Sequence, residues 1–340
     1  MSELLHGIVL AAGHSTRLGA LGHERPKPLL PVCNEPLLRW ALALLQRAGV
    51  VEVSVNAHHL GGQLAALVGA EAAGGLALEL VAETELLGTG GGIKAMARRA
   101  PERSCLVVNG KLVCDVELAA VAAFHREQRA LATLVVYPHP HAKAWGAIGV
   151  DAAQRVGRIL EQEAPTTGPL TDYLFTGIQL LEPEAVAAIP AGPCCVMRTA
   201  LSALLRAGAP LAAWVHRGYF YEHSTIPRYL QGNLNLLAGA APTAPRPGPV
   251  RGVDPSAVLG RGSTLVEPVL IGRGAVVGAG ARVGPAVVLG AGAQVHEGVS
   301  VAEAVVWPEA HLRHSTRRVV VTPLQVVPVE LDADPTAAPR

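Results

Sequence analysis

The sequence predicts an α/β fold, a Rossmann-like and mostly parallel sheet with flanking helices, followed by a left-handed parallel β-helix of hexapeptide repeats. Two observations carry this prediction. From residue 6 to about residue 235, short apolar segments alternate with segments of helical spacing, as in a parallel sheet wrapped by helices. Beyond residue 250, aliphatic residues recur every six positions, and three such hexads make one triangular coil of a β-helix.

The first segments alternate in the order strand, helix, strand. Residues 35–48 place apolar side chains at helical spacing and end at Gly49, and residues 51–56 alternate between apolar and polar as a strand does. Ligands of such folds bind outside the carboxyl ends of the strands. The predicted strands are 7–12, 51–56, 76–83 and 104–110, and the predicted helices are 35–48, 60–68, 91–100 and 116–128.

The composition changes at residues 236–250, which are rich in Ala, Pro and Gly and are therefore interpreted as a linker. We divide the chain into a first domain over 1–235, this linker, a β-helix domain over 251–322 and a frayed tail over 323–340. The hexad residues that define the β-helix are Val253, Leu259, Leu265, Ile271, Val277, Val283, Leu289, Val295, Val301 and Trp307.

Charge and hydropathy restrict the partners of the protein. The net charge of +1 gives no electrostatic footprint for nucleic acid or for an anionic membrane, so neither is expected as a partner. The sequence lacks a long apolar stretch and the features of a signal peptide, and its five cysteines lack CxxC spacing. We therefore expect a cytoplasmic protein with reduced thiols.

Two short segments near the N-terminus point to phosphate chemistry. The strand in 7–19 opens into a loop of small residues, whose backbone N–H groups can approach a base or phosphates, with Arg17 near its end. Residues 25–32 hold Lys27 between two prolines, which suits a point-charge contact to phosphate. Lysine is rare here, because only Lys27, Lys94, Lys111 and Lys143 are lysines among 28 basic residues.

The two segments, GIVLAAGHSTRLG and RPKPLLPV, together resemble the signature of the sugar-1-phosphate nucleotidyltransferases, also called nucleotide-sugar pyrophosphorylases. Residues 55–64 and 83–93 resemble the branch of mannose-1-phosphate guanylyltransferases and N-acetylmuramate-1-phosphate uridylyltransferases. The likeness continues in WGAIGVD (145–151), FTGIQLLEPE (175–184) and YEHSTIPRYLQGN (221–233), and a β-helix is also appended in this family.

The resemblance implies that a nucleoside triphosphate and a sugar-1-phosphate give an NDP-sugar, a polysaccharide precursor, and pyrophosphate. Catalysis would then rest on positioning and charge neutralisation. The predicted catalytic residues are Arg17, Lys27 and Lys111. The predicted nucleotide-binding residues are Leu10, Ala11, Ala12, Gly13, Ser15, Thr16, Gly88, Thr89 and Asn109. The predicted sugar-binding residues are Gly146, Glu161, Thr176 and Gly177.

Three departures from the family pattern fall in the same predicted site. Ser15 replaces a loop glycine and adds a side chain where the triphosphate packs. The family's Glu-Lys-Pro is LEQEAP here (160–165), so Glu161 or Glu163 supplies the acid and the lysine is missing. Lys111 and Glu222 stand where the family has two aspartates that coordinate Mg²⁺.

The resemblance leaves three interpretations of Lys111 open. The lysine is a solvated surface residue, or its ammonium takes the place of the metal and pairs with Glu222 or Asp115, or a displaced Mg²⁺ is carried by Asp115, Glu222 and the substrate. Two functions follow from these readings. One is an active nucleotidyltransferase with an altered metal site, and the other is a silent paralogue that binds a nucleotide sugar and regulates a partner. We also expect a homo-oligomer that forms through the β-helix.

Overall fold

The computed structural model describes residues 5–72, 76–165 and 168–331 of the chain. Every strand and helix predicted before residue 130 overlaps an observed element of the predicted type. The helices are α1 (Gly19–Glu24), α2 (Leu37–Arg47), α3 (Gly61–Ala72), α4 (Gly88–Ala97), α5 (Leu118–Glu127), α6 (Pro183–Ala187), α7 (Ser202–Arg206) and α8 (Ile226–Leu237). The strands up to α8 are β1 (His6–Leu10), β2 (Pro31–Val32), β3 (Glu35–Pro36), β4 (Glu52–Ala57), β5 (Ala77–Ala82), β6 (Cys105–Asn109), β7 (Leu112–Cys114), β8 (Ala132–Tyr137), β9 (Ile148–Val150), β10 (Val156–Ile159), β11 (Gln162–Glu163), β12 (Thr171–Leu181), β13 (Leu211–Val215) and β14 (Phe220–Glu222).

The central sheet is parallel in the half that begins the chain. Its order is β11-β10-β9-β12-β6-β1-β4-β5, with β8 and β13 joined through β12. The pairs β1–β4, β1–β6, β4–β5 and β8–β13 are parallel, whereas β12 runs antiparallel to β6, β8 and β9. Successive residues of β1 point to opposite faces, so Ile8 and Val9 enter two separate cores. The carboxyl ends of β1, β4 and β6 therefore meet at one edge.

The region after residue 250 consists mainly of short parallel strands, which is consistent with the predicted β-helix. Its paired residues lie 18 positions apart in the first coils, for example Val253 with Ile271 and Leu265 with Val283, as three hexads per coil require. Its strands are β15 (Gly252–Val253), β16 (Val258–Leu259), β17 (Thr264–Leu265), β18 (Val269–Ile271), β19 (Val276–Val277), β20 (Arg282–Val283), β21 (Val287–Leu289), β22 (Gln294–Val295), β23 (Ser300–Val306), β24 (His311–Leu312), β25 (Thr316–Val321) and β26 (Val326–Pro328).

The hexad register slips by one residue in the last coil. Leu289 pairs with Val306, so Val306 occupies the position that the six-residue period predicts for Trp307. Trp307 instead lies buried against the first domain, where it contacts Tyr229. The predicted tail also differs, because β26 (Val326–Pro328) folds back antiparallel on β25. The rest of that tail, 332–340, lies outside the described residues.

The two domains share one continuous apolar core. This core contains Leu30 and Tyr229 from the first domain and Val288 and Trp307 from the β-helix. The predicted linker is part of it, since α8 extends to Leu237 and three of the following residues, Ala241, Ala244 and Val250, are buried. The β-helix is therefore packed onto the first domain rather than tethered to it. None of the helices in the described part of the chain is long and apolar enough to span a membrane.

Candidate active site

A cavity of about 210 Å³ lies at the carboxyl ends of β1 and β6. A more open groove of about 650 Å³ lies beside Tyr173, Trp214 and Arg217. We place the candidate site at the smaller cavity, because it gathers two lysines at the sheet edge where parallel α/β folds bind ligands. Its lining residues are Leu10, Ala11, Ala12, Gly13, Ser15, Lys27, Pro28, Thr89, Asn109, Gly110 and Lys111.

The loop after β1 is held by a side chain that sequence reasoning missed. Asn56 Oδ1, at the end of β4, accepts hydrogen bonds from the backbone N–H groups of Ala11 at 2.6 Å and Ala12 at 3.0 Å. Asn56 Nδ2 donates to Glu83 Oε1 at 2.7 Å, and Glu83 Oε2 accepts from Leu87 N. Those two loop N–H groups are therefore used within the protein. The available signal was the position of Asn56 and Glu83 at neighbouring strand ends.

Ser15, at the position of the loop glycine in the resembled family, lines the cavity but directs its hydroxyl to the lysine turn. Ser15 has a left-handed backbone conformation with φ of 56°, which explains the family preference for glycine there. Its hydroxyl is buried and accepts a hydrogen bond from the backbone N–H of Lys27 at 3.0 Å. That Ser15 adds a side chain where the triphosphate packs stays a prediction, and its hydroxyl is already bonded within the protein. Ser15 thereby ties the first loop to the lysine turn.

Positive charge is concentrated around Lys27. Burial, aided by the charges of Lys111 and Arg17, lowers the pKa of the Lys27 amine from 10.5 to about 8. Arg17 is exposed in the short turn Thr16–Leu18 and is outside the residues that line the cavity, as is Thr16. The protonated form of this amine is destabilised as long as no anion is present, so an anion that enters the cavity would stabilise it.

Lys111 forms an ion pair with Glu222. Strands β7 and β14 are antiparallel and place Leu112 opposite Glu222, so Lys111 at the preceding turn lies within reach of that carboxylate. The distance from Lys111 Nζ to Glu222 Oε1 is 2.7 Å. Glu222 is largely buried, and although burial opposes its charge, Lys111 holds the pKa of the Glu222 carboxyl below its ordinary value. The solvated-surface interpretation of Lys111 does not describe this arrangement.

Asp115 belongs to a different cluster. One of its oxygens accepts a hydrogen bond from Tyr219 N at 2.6 Å and lies 3.0 Å from His216 Nε2, and the other accepts from Thr243 Oγ1 at 2.6 Å. Lys111 pairs with Glu222 alone among these carboxylates. Asp115 therefore fastens the base of the β7–β14 hairpin, and the structure does not bring it to the cavity with Glu222.

The predicted sugar-binding residues form no single cluster with the cavity. Gly177 lies against it, because a Cβ added there would stand 2.0 Å from Asn109 Nδ2. Thr176 is buried and its hydroxyl donates to Val135 O at 2.7 Å. Gly146 precedes β9, and the exposed Glu161 lies between β10 and β11 in the antiparallel extension of the sheet.

The glycines before α4 are explained by a neighbouring segment. A Cβ on Gly88 would stand 2.6 Å from the carbonyl oxygen of Cys194, and a Cβ on Gly90 would stand 2.5 Å from the Cys194 Sγ. Both positions therefore need glycine. Gly90 N donates to Cys194 O, and Thr89 Oγ1 accepts from Val196 N at 3.0 Å. Thr89 still lines the cavity, whereas Gly88 is outside its lining residues.

Comparisons with known proteins identify the family of the chain. The family model described as Nucleotidyl transferase matches residues 6–218, which include every residue that lines the cavity. A mannose-1-phosphate guanylyltransferase of Mycobacterium tuberculosis is 32% identical over 272 residues, which are 78% of this chain and 75% of that protein.

The chain belongs to the nucleotidyl transferase family.

More distant relatives extend the same picture. A UTP–glucose-1-phosphate uridylyltransferase of Synechocystis sp. is 28% identical over 55% of this chain and 52% of that protein. In fold, the chain is similar to the solved structure of a putative glucose-1-phosphate thymidylyltransferase from Bacillus anthracis in complex with a sucrose. The TM-score is 0.60 at 18% identity, over 72% of this chain and 98% of that chain.

The family implies Mg²⁺, and the side chains at the cavity do not fit it. A hard divalent cation in such enzymes is held by carboxylates and phosphate oxygens. Here the carboxylate beside Lys111 is that of Glu222, and the Lys111 ammonium lies 2.7 Å from one of its oxygens. Within the described residues, no group of three or more His, Cys, Asp or Glu side chains is arranged to hold a metal ion.

Proposed function

We propose that this nucleotidyl transferase uses a nucleoside triphosphate and a sugar-1-phosphate, with the Lys111 ammonium standing where relatives hold a metal ion. The ion pair of Lys111 with Glu222 at the rim of the cavity carries this proposal. A compact ammonium replaces a compact cation better than a planar guanidinium does. Only four of the 28 basic residues are lysines, which favours a specific role for the lysine at this position.

The reaction needs no covalent bond to the protein. An oxygen of the sugar-1-phosphate attacks the α-phosphorus of the triphosphate in line, the bond from that phosphorus to the bridging oxygen breaks, and pyrophosphate leaves. Lys27 and Lys111 neutralise charge on the phosphates, and Arg17 adds to the positive field from the rim. Asn56 and Ser15 keep the loop and the lysine turn in place.

The test is pyrophosphate release from four nucleoside triphosphates and a panel of sugar-1-phosphates, including mannose-1-phosphate, with Mg²⁺ and with EDTA. We expect turnover in EDTA that Lys111→Asp abolishes or makes dependent on Mg²⁺. Lys27→Ala should lower kcat/KM by about 100-fold or more. The exposed Lys143 provides the matched control, and Lys143→Ala should behave as the wild type.

Two other results would replace the proposal. Wild-type turnover that requires Mg²⁺ would support a displaced metal site. Absence of turnover with every pair, with activity appearing in Lys111→Asp, would support the silent paralogue that binds a nucleotide sugar. Binding of an NDP-sugar without pyrophosphate release would identify that second function directly.

A further inference from the structure

The β-helix contacts the segment 24–34, which carries Lys27, through a chain of buried polar groups. Trp307 Nε1 donates a hydrogen bond to Tyr229 Oη at 3.0 Å. Tyr229 Oη in turn donates to the carbonyl oxygen of Pro31 at 2.5 Å. Both rings are buried, so neither hydrogen bond is exchanged readily for one to water. The indole of the β-helix therefore fixes one end of the lysine turn.

A second set of contacts fixes the other end of the same segment. The guanidinium of Arg25 lies over the Trp307 ring, 5.0 Å from its centroid, in a cation–π arrangement. Glu24 Oε1 accepts hydrogen bonds from Thr322 Oγ1 at 2.8 Å and from Gln325 Nε2 at 2.5 Å. Trp307 thus touches the segment on both sides of Lys27, directly through Arg25 and through Tyr229 at Pro31.

The segment between these anchors is stiff. Pro26 and Pro28 fix φ on both sides of Lys27, and Lys27 begins a short 3-10 turn whose carbonyl accepts from Leu30 N. The Ser15 hydroxyl also accepts a hydrogen bond from Lys27 N. A displacement of either anchor is therefore transmitted to the lysine rather than absorbed by a flexible loop.

We infer that Trp307 is a positioning residue for nucleotidyl transfer, which holds Lys27 at the cavity through Arg25, Tyr229 and Pro31. The appended β-helix is then part of the support of the active site and is required for it. This inference rests on the proposed role of Lys27 as a phosphate-binding cation. It assigns a function to the one-residue slip of the hexad register, because that slip brings Trp307 out of the coil and onto the first domain.

The experiment compares Trp307→Phe with Trp214→Phe in the full chain. Trp307→Phe keeps an aromatic ring near Arg25 and removes the N–H that bonds Tyr229. Trp214 is a half-buried tryptophan in β13 that packs on Phe124, and it serves as the matched control. All variants are assayed below their thermal unfolding temperatures.

Two readouts are used, of which one does not depend on activity. Competitive acetylation with acetic anhydride, followed by peptide mass spectrometry, gives the reactivity of Lys27 relative to the exposed Lys143, and the small number of lysines makes this measurement clean. Steady-state kinetics give KM for the triphosphate and kcat. A double-mutant cycle with Lys27→Ala shows whether Trp307 acts through Lys27.

We expect Trp307→Phe to change the relative reactivity of Lys27 severalfold and to raise KM for the triphosphate by about three- to tenfold, the range for one hydrogen bond. In the Lys27→Ala background the same substitution should have no further effect. Lys27 reactivity and KM equal to those of Trp214→Phe would overturn the inference. Altered Lys27 reactivity, with turnover insensitive to Lys27→Ala, would instead overturn the proposed role of Lys27 and leave Trp307 as its anchor.

Discussion

Lys27 illustrates at the scale of one residue how burial and function oppose each other. Its amine is placed among positive charges in a partly buried turn, and its pKa falls to about 8. A protein gains nothing in stability from such an arrangement, because the charged form is penalised when no anion is present. The arrangement becomes favourable when a triphosphate supplies the opposite charge, which is the expected behaviour of a binding residue.

The lowered pKa of Lys27 predicts a pH dependence with a definite sign. Above about pH 8 the free enzyme loses the ammonium, so kcat/KM for the triphosphate should fall as pH rises through 8. Stability should change in the opposite direction. Between pH 8 and 10.5 the unfolded chain keeps the proton that the folded chain has lost, so the free energy of unfolding contributed by Lys27 rises with pH.

The measurement is a pH profile of kcat/KM for the wild type beside Lys143→Gln, whose lysine is exposed. Both proteins should show the same decrease. A profile that stays level from pH 7 to pH 9.5 would show that the charge of Lys27 does not govern triphosphate binding.

At the scale of an element, the β7–β14 hairpin depends on Asp115. Asp115→Ala leaves the N–H of Tyr219 and the hydroxyl of Thr243 without their acceptor, which should lower the free energy of unfolding by about 1–3 kcal/mol. Asp115→Asn keeps one acceptor oxygen and should cost less. Because Asp115 bonds within its own cluster, neither change should alter how turnover depends on Mg²⁺.

Denaturant unfolding and a Mg²⁺ titration of turnover test this prediction together. If Asp115→Asn leaves the free energy of unfolding unchanged but removes a Mg²⁺-dependent activity, then Asp115 is a metal ligand and the prediction is wrong. The matched control is Asp151→Asn, since Asp151 is also a turn aspartate that accepts backbone N–H groups, outside the cavity.

How much could be predicted from the sequence depends on how far apart in the chain the interacting residues lie. Strand and helix positions depend on local periodicity, and for that reason β1, β4 and β6 and their helices were predicted closely. Lys27 was singled out because it lies in a short motif of the family, and Lys111 because it departs from one. The roles of Asn56 and Asp115 could not be found in this way, because their partners lie 45 and up to 128 residues away in the chain. Such pairings depend on the folded topology and leave no local pattern.

In the β-helix, too, the repeat predicts local structure but not long-range packing. A period of six predicts coils of three hexads, and the pairing of residues 18 apart confirms that coil length. The handedness of the coils stays a prediction. The one-residue slip at Val306 and Trp307 accompanies the packing of Trp307 against Tyr229. A six-residue repeat carries no information about that contact.

At the scale of the whole molecule, the first coil of the β-helix predicts self-association. Strands β15, β16 and β17 lie at the edges of their sheets, so their outer backbone groups are open to pairing with another chain. Their hexad residues Val253 and Leu259 are 41% and 47% exposed, and Val258 is 57% exposed, whereas Ile271 and Val277 at the equivalent positions one coil further are buried. A second copy of the same coil offers matching strands and matching apolar surface, as an isologous contact requires.

We therefore expect a homodimer in solution, formed through the first coil, and we expect Val258→Glu to convert it to a monomer. The substitution places a charge in an apolar contact, which costs far more in the dimer than on an exposed surface. Leu324→Glu is the matched control, because Leu324 is 79% exposed near the opposite end of the β-helix. Light scattering during size-exclusion chromatography measures the mass. A wild type of monomeric mass, or a Val258→Glu variant that keeps the wild-type dimer, would contradict the prediction, and pyrophosphate release by a folded monomer would show that dimerisation is separate from catalysis.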